Sequence, residues 1–181
     1  MADAQVVDVA TWGPVSRRDA TARIERDPDG LYRELAPAVL GYLRAQGASD
    51  PEDLLMDVFV AVVRDLDGVR GDADAVRRWV FTIAHHRIVD ERRHRSRRTR
   101  LRPADVAEFD RPVPDAMSEG TDPELVSALA ALTPEQRDVL GLRIVADLPV
   151  KDVARILRKR PDAVKALQHR ATSKLADLLG N

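Results

Sequence analysis

The chain has 181 residues, a formal net charge of −1 and no cysteine. That length suits one domain or two small ones, and the absent cysteine excludes disulfides, thiolate–zinc sites and thiol redox sensing. No apolar run is long enough to span a bilayer and no basic-then-apolar leader opens the sequence, so a soluble, cytoplasmic protein without membrane insertion is expected.

The near-zero net charge hides segregation. Residues 50–75 carry −6, residues 85–102 carry +6, residues 104–124 carry −6 and residues 143–174 carry +6. Alternating blocks of this kind predict two surfaces that face a polyanion and acidic surfaces that face something else.

Residues 1–28 show weak periodicity, punctuated by Gly13, Pro14 and Pro28. They read as a flexible N-terminal segment, with a short docking segment as the alternative. From Asp29 onward, Leu31, Leu35, Val39, Leu40 and Leu43 mark one helix face, which Gly47 ends. The next helix has a clear entrance, with Asp50 as cap, Pro51 in the first turn and Asp53 three residues after the cap. Leu54, Leu55, Val58, Phe59, Val62 and Val63 give it a broad apolar face. Asp53 and Asp57 lie one turn apart on another face. No histidine or further carboxylate completes a metal or acid–base site there, so pairing with a partner's basic side chains is the simpler reading.

A connector containing Gly71 leads to the stretch on which the chain is centred. Val76, Trp79, Val80, Ile83, Ala84 and Ile88 repeat at spacings of three and four, which predicts an amphipathic helix. Past Ile88 charge takes over: Arg87, Arg92, Arg93, Arg95, Arg97, Arg98, Arg100 and Arg102 face only Asp90 and Glu91. A helix packed into a core at one end and strongly basic at the other suits nucleic acid, whereas the plainer reading is a solvated helix end. Trp79 could stack on a base, but its place on the apolar face favours core packing.

Residues 103–122 are acidic, proline-punctuated and poor in apolar residues, and they read as a flexible linker. It divides the chain into two small helical bodies, 29–102 and 123–181, and its acidity raises the question of contact with the basic surfaces. The second body opens with a short helix through Leu125, Leu129 and Leu132. Thr133, Pro134 and Gln136 then form a capping box. Val139, Leu140 and Ile144 are expected in the core before Pro149 breaks the run. Val150, Val153, Ala154 and Leu157 mark a third helix. Pro161 starts a fourth, with Val164, Leu167, Ala171, Leu175 and Leu178 inward. Two short helices, a tight turn and a polar-faced helix match a helix-turn-helix.

Catalysis finds no support. His85, His86, His94 and His169 are the only histidines, the adjacent pair diverges on a helix, and no Gly-rich phosphate loop or H-E-x-x-H arrangement occurs. No cofactor is called for.

Four stretches of the chain carry a resemblance. DPEDLLMDVFVAVV at 50–63 and VRRWVFTIAHHRIVDERRHR at 76–95 resemble the polymerase-gripping and −10-reading helices of a bacterial sigma factor of the extracytoplasmic-function class, in the sigma-70 family. LTPEQRDVLGLRIVADLPVKDVARIL at 132–157 and RPDAVKALQHRATSKL at 160–175 resemble its −35-binding domain. Both halves stand in the order expected of the family, with a linker between them. The resemblance implies an all-α fold of two small helical domains. It also implies a dissociable specificity subunit, without a catalytic site of its own, that directs promoter recognition, melting and initiation.

The implied partners are core RNA polymerase, promoter DNA and an anti-sigma factor. Asp53 and Asp57 are the candidate polymerase contacts. Arg87, Arg92, Arg93 and Arg95 are candidates for the −10 region, where the 70–74 connector and the helix after it would hold extruded bases. Arg160, Lys165, His169 and Arg170 are candidates for the −35 duplex. There are two departures. The family's usual glycine after the first helix of the reading motif is Arg158, and its common small hydroxyl cap is Arg160. A stand-alone helix-turn-helix regulator, which leaves the 50–63 helix without a role, or a helical interaction protein, whose basic helix is merely solvated, is the alternative function.

Overall fold

The computed structural model describes residues 27–69, 71–100 and 123–180. The linker at 103–122 and almost all of the expected N-terminal segment lie outside the described residues. Among those described, the regular structure is entirely helical: α1 Pro28–Ala45, α2 Pro51–Asp65, α3 Ala73–Arg100, α4 Pro123–Ala130, α5 Pro134–Leu140, α6 Val150–Ile156 and α7 Pro161–Leu178.

The helix starts follow from local chemistry. The Asp27 carboxylate accepts from Gly30 N at 3.1 Å, and the Asp50 carboxylate accepts from Asp53 N at 2.8 Å. Each is followed by proline, which has no N–H to leave unsatisfied in the first turn. The capping box at Thr133 is complete, with Gln136 N donating to Thr133 Oγ1 at 3.3 Å and Thr133 N donating to Gln136 Oε1 at 2.9 Å. Arg137 then reaches back to the end of α4 and donates to the carbonyls of Leu129, Ala130 and Leu132 at 3.1–3.2 Å. A cation satisfying exposed carbonyls there also suits the helix dipole.

Two helix ends use the same motif with different residues. After α1, Gly47 takes φ +73°, Gly47 N donates to Arg44 O at 2.8 Å and Ala48 N donates to Leu43 O at 3.1 Å. After α6, Arg158 takes φ +53°, with Arg158 N to Arg155 O at 3.3 Å and Lys159 N to Ala154 O at 2.9 Å. The left-handed turn is therefore kept without its glycine. An L-residue there costs about 1–2 kcal/mol, while glycine loses about 0.5–1 kcal/mol more backbone entropy on folding. Arg158→Gly is expected to raise stability by up to about 1 kcal/mol, read as a higher urea midpoint at unchanged slope. A lower midpoint would show that the Arg158 side chain contributes more than the turn costs. Arg160, as expected, stands as N-cap of α7 with no side-chain cap bond.

Helices α1, α2 and α3 pack on one another, and α5, α6 and α4 pack on α7. Leu31, Leu35, Tyr42, Val58, Val62, Val80, Phe81 and Ile88 are fully or almost fully buried in the first group, and Val139, Leu142, Val153 and Val164 in the second. The two groups also meet: α1 lies against residues 141–145, α3 lies against α6, and most buried side chains of both form one continuous cluster, with Leu132, Leu140 and Ala171 in a smaller one of their own.

Three core expectations fail. Ile144 is 63% exposed because residues 141–145 form a wide turn closed by Ala146 N donating to Gly141 O at 3.0 Å. Five residues per hydrogen bond rotate Ile144 off the face that a 3.6-residue period assigns it. Val63 lies on the outer side of α2, 54% exposed. Leu178, in the last turn of α7, projects past the packed helices, half exposed.

Candidate functional site

Helix α2 presents two different faces. Leu55, Val58, Phe59 and Val62 are buried. On the other side Asp53, Asp57 and Val60 follow one another at helical spacing and are all exposed. Met56 at 54%, Val60 at 62% and Val63 at 54% exposure form an apolar stripe beside the two carboxylates. Scattered exposed apolar residues are ordinary; three on consecutive turns of one helix, bordered by acids, make a patch of the kind that meets another protein. The sequence singles out Asp53 and Asp57; Met56 and Val60, exposed beside them, carry no charge to mark them. The available signal was a helix apolar around most of its circumference, which needs a second partner besides its own core.

Helix α3 carries its basic end outward, but its arginines divide. Arg87 and Arg93 are exposed, with Arg93 3.3 Å from Asp90. Arg92 and Arg95 are half-buried and engaged. Arg92 donates to Asp138 Oδ1 at 2.9 Å and to Gln46 Oε1. Arg95 pairs with Glu91 and donates to Gly47 O at 3.2 Å. Trp79 is partly buried against the core, as expected. One side of it lines a cleft of about 490 Å³ with Gly68, Val69, Arg78 and Thr82, which Arg155, Ile156 and Arg158 close from the other half of the chain.

On α7, Lys165 and His169 are exposed one turn apart, and Arg170 is turned about 100° further around the helix. Lys165 lies 3.9 Å from Asp162, a loose surface pair that leaves its charge available. Arg160 is exposed at the start of the same helix. The inner face carries Val164, Leu167 and Ala171, and Gln168 accepts from Arg143 Nε at 3.1 Å. The turn 157–160 thus sets a polar helix outward on a base of α5 and α6.

One buried polar pair went unpredicted. Tyr42 is fully buried, and its hydroxyl shares a 3.0 Å hydrogen bond with Nδ1 of the buried His85. Phe81, also fully buried, meets the Tyr42 ring edge-on at 5.8 Å. Burial chiefly holds the His85 pKa below its ordinary 6.5, with Arg92 and His86 adding to the effect and Asp138 opposing it. Burial and the Asp138 charge push the Tyr42 hydroxyl well above 10.0. The folded state therefore prefers neutral imidazole. Its contribution to stability is complete above pH 6.5 and is lost as pH falls from there toward the lowered folded value. Wild type is expected to lose more stability between pH 7.5 and 5.5 than a His85→Asn variant, measured by chemical denaturation. Parallel pH profiles would show that His85 does not carry this dependence.

Among the described residues no cluster of three or more His, Asp or Glu could hold a metal ion, and the adjacent rings of His85 and His86 stand 6.2 Å apart. No described helix is long and apolar enough to cross a membrane.

Comparison with known proteins agrees with this layout. The Sigma-70 region 2 family matches residues 31–98, and the Sigma-70, region 4 family matches residues 123–175. The chain is 31% identical to the ECF RNA polymerase sigma factor ShbA of Streptomyces griseus, over 86% of this chain and 90% of that protein. It is 28% identical to the ECF RNA polymerase sigma factor BldN of Streptomyces coelicolor, over 97% of this chain and 66% of that one. A solved structure of the sigma factor RpoE of Bartonella quintana, in complex with the anti-sigma factor NepR, shares the fold. Its TM-score is 0.65 at 20% identity, covering 86% of this chain and 98% of that one. The chain belongs to the extracytoplasmic-function class of the sigma-70 family, and it acts as a non-catalytic specificity subunit that directs RNA polymerase to promoters.

Proposed function

We propose that the work is divided among three surfaces. The outer face of α2 docks on core polymerase, with Met56, Val60 and Val63 supplying apolar contact and Asp53 and Asp57 steering basic partner side chains. The end of α3 serves the −10 region: Arg87, Arg92, Arg93 and Arg95 neutralise phosphates, and the cleft beside Trp79 accepts an extruded base. Residues 150–178 act as a helix-turn-helix whose last helix enters the −35 major groove. There Arg160, Lys165, His169 and Arg170 face phosphate or base edges. The first body spans residues 29–102, the second 123–181, and 103–122 link them.

An anti-sigma factor is the proposed inhibitory partner, since the fold is shared with a sigma factor solved in complex with one. The observation that carries the reading is the exposed apolar and acidic stripe on α2, for which a stand-alone DNA-binding regulator has no use. Copurification tests it. The tagged full chain is expected to retain core polymerase through a salt wash, and duplex binding without polymerase affinity would favour the regulator instead.

A further inference from the structure

We infer that the cleft beside Trp79 is a binding site for a free mononucleotide, with Arg158 as the anchor of its phosphate. Such a site goes beyond the promoter-base reading of the same cleft and needs no DNA. Arg158 holds φ +53° at a turn where glycine would be at ease. Asp147 also has a positive φ, but aspartate enters that region more readily. Backbone strain of this kind gathers at ligand sites, where the side chain has a use. No partner keeps the arginine in place. Its exposed side chain makes no ion pair or hydrogen bond among the described residues, whereas the adjacent Lys159 pairs with Glu135 at 2.6 Å.

What Arg158 does is line the cleft of about 490 Å³, together with Trp79, Arg78, Thr82, His86 and Arg155. No carboxylate lines it among the described residues. The neighbouring cleft of about 500 Å³ shares Arg158 but carries Asp90, Glu135 and Asp138 beside its cations, so an anion is drawn to the first. Two of the arginines are braced from behind. The buried Asp152 accepts from Arg78 Nη1 at 3.3 Å and from Arg155 Nη1 at 3.4 Å. Each guanidinium keeps further N–H groups for another acceptor. Three arginines against one carboxylate leave +2 at the cleft, and guanidiniums held in this way suit phosphate oxygens.

The rest of the wall suits a planar ring. Trp79 and Ile156 supply apolar surface, and a base stacks on an indole whatever its sequence identity. The volume falls within the range of about 300–1,000 Å³ that holds one small ligand. A duplex is too wide to enter between packed helices. Buried apolar side chains run continuously from one half of the chain to the other, so the cleft is a lasting feature and is formed before any ligand arrives.

The test uses the full chain carrying Trp12→Phe, which leaves Trp79 as its only tryptophan, and adenosine 5′-monophosphate as the probe. Saturable quenching of Trp79 emission is expected, together with a higher urea midpoint, because a ligand that binds only the folded chain stabilises it. Absence of both at millimolar probe would overturn the inference. Arg158→Gly is expected to weaken the probe about tenfold, and glycine relieves the turn, so misfolding does not explain the loss. Arg158→Lys keeps the charge without the planar fork and is expected to fall between parent and glycine variant. Lys151→Ala removes an exposed cation outside the cleft and is expected to bind as the parent does. Equal losses in Lys151→Ala and Arg158→Gly would reduce the effect to general charge attraction and remove the site. Adenosine and inorganic phosphate, tried singly, are each expected to bind more weakly than the probe. Phosphate binding as tight as that of the nucleotide would show a plain anion site, and the nucleotide assignment would fall. The promoter-base reading fails separately, if a short single-stranded oligonucleotide does not displace the probe.

Discussion

A Met56→Asp, Val60→Asp double variant is expected to bind core polymerase roughly a thousandfold more weakly than wild type. Apolar anchors at the centre of an interface cost about 2 kcal/mol or more each when lost, and tenfold in affinity is about 1.4 kcal/mol. Both side chains stand more than half exposed on α2, so the fold has little stake in them, and helicity and the denaturation midpoint are expected to hold. Reversing Asp53 and Asp57 to Lys makes a useful contrast on the same face. Charges at a rim act mainly on the association rate and its salt dependence, so that variant is expected to recover affinity as conditions remove the repulsion. The apolar variant is not. Titration of labelled full chain with core polymerase at several salt concentrations separates the two. If the Met56, Val60 variant binds as wild type does, the polymerase contact lies on another surface and the role given to α2 is wrong.

The parts of the molecule legible in the sequence share a cause: they are decided within about one turn of chain. The caps at Asp50 and Thr133, the prolines that follow them and the stop at Gly47 all depend on neighbours three to five residues away. So does the strained turn at Arg158, whose positive φ could be anticipated from the glycine that the family places there. What escaped depends on contacts made across the chain. Gln46 looks like an ordinary polar residue near a helix end, yet it is buried because Arg92 and the Arg137 carbonyl converge on it from elsewhere. His85 is buried by its partnership with Tyr42, forty-three residues away. Ile144 fits a helical period and is turned outward by one wide turn, which no hydrophobic pattern announces. The same limit applies to the arginines of α3. Composition marks all of them as basic and exposed, and only packing separates Arg87 and Arg93 from Arg92 and Arg95.

That separation bears on the second large effect, a division of labour between the two basic helices. Replacing Lys165 and Arg170 together with alanine is expected to weaken recruitment of reconstituted holoenzyme to a closed promoter that carries a −35 duplex. Both residues stand on the exposed side of α7, so core packing is spared. If each meets a phosphate, the loss is similar across sequences and the salt slope falls by about 2, one for each contact removed. If either meets a base edge, about 1–3 kcal/mol of discrimination disappears at one position and the other positions are unaffected. The same variant is expected to act normally on a premelted template without the −35 element. Replacing Arg87 and Arg93 with alanine is expected to do the opposite. Its defect persists on the premelted template, because the exposed arginines of α3 serve the opened strand rather than the upstream duplex. Arg92 is left out of this comparison, since its loss would also break the ion pair with Asp138 and mix a packing effect with loss of a phosphate contact. Filter binding and single-round transcription on the two templates give four pairings. A defect of equal size on both templates for the Lys165, Arg170 variant would sink the division, and would mean that α7 supports holoenzyme assembly instead of duplex reading.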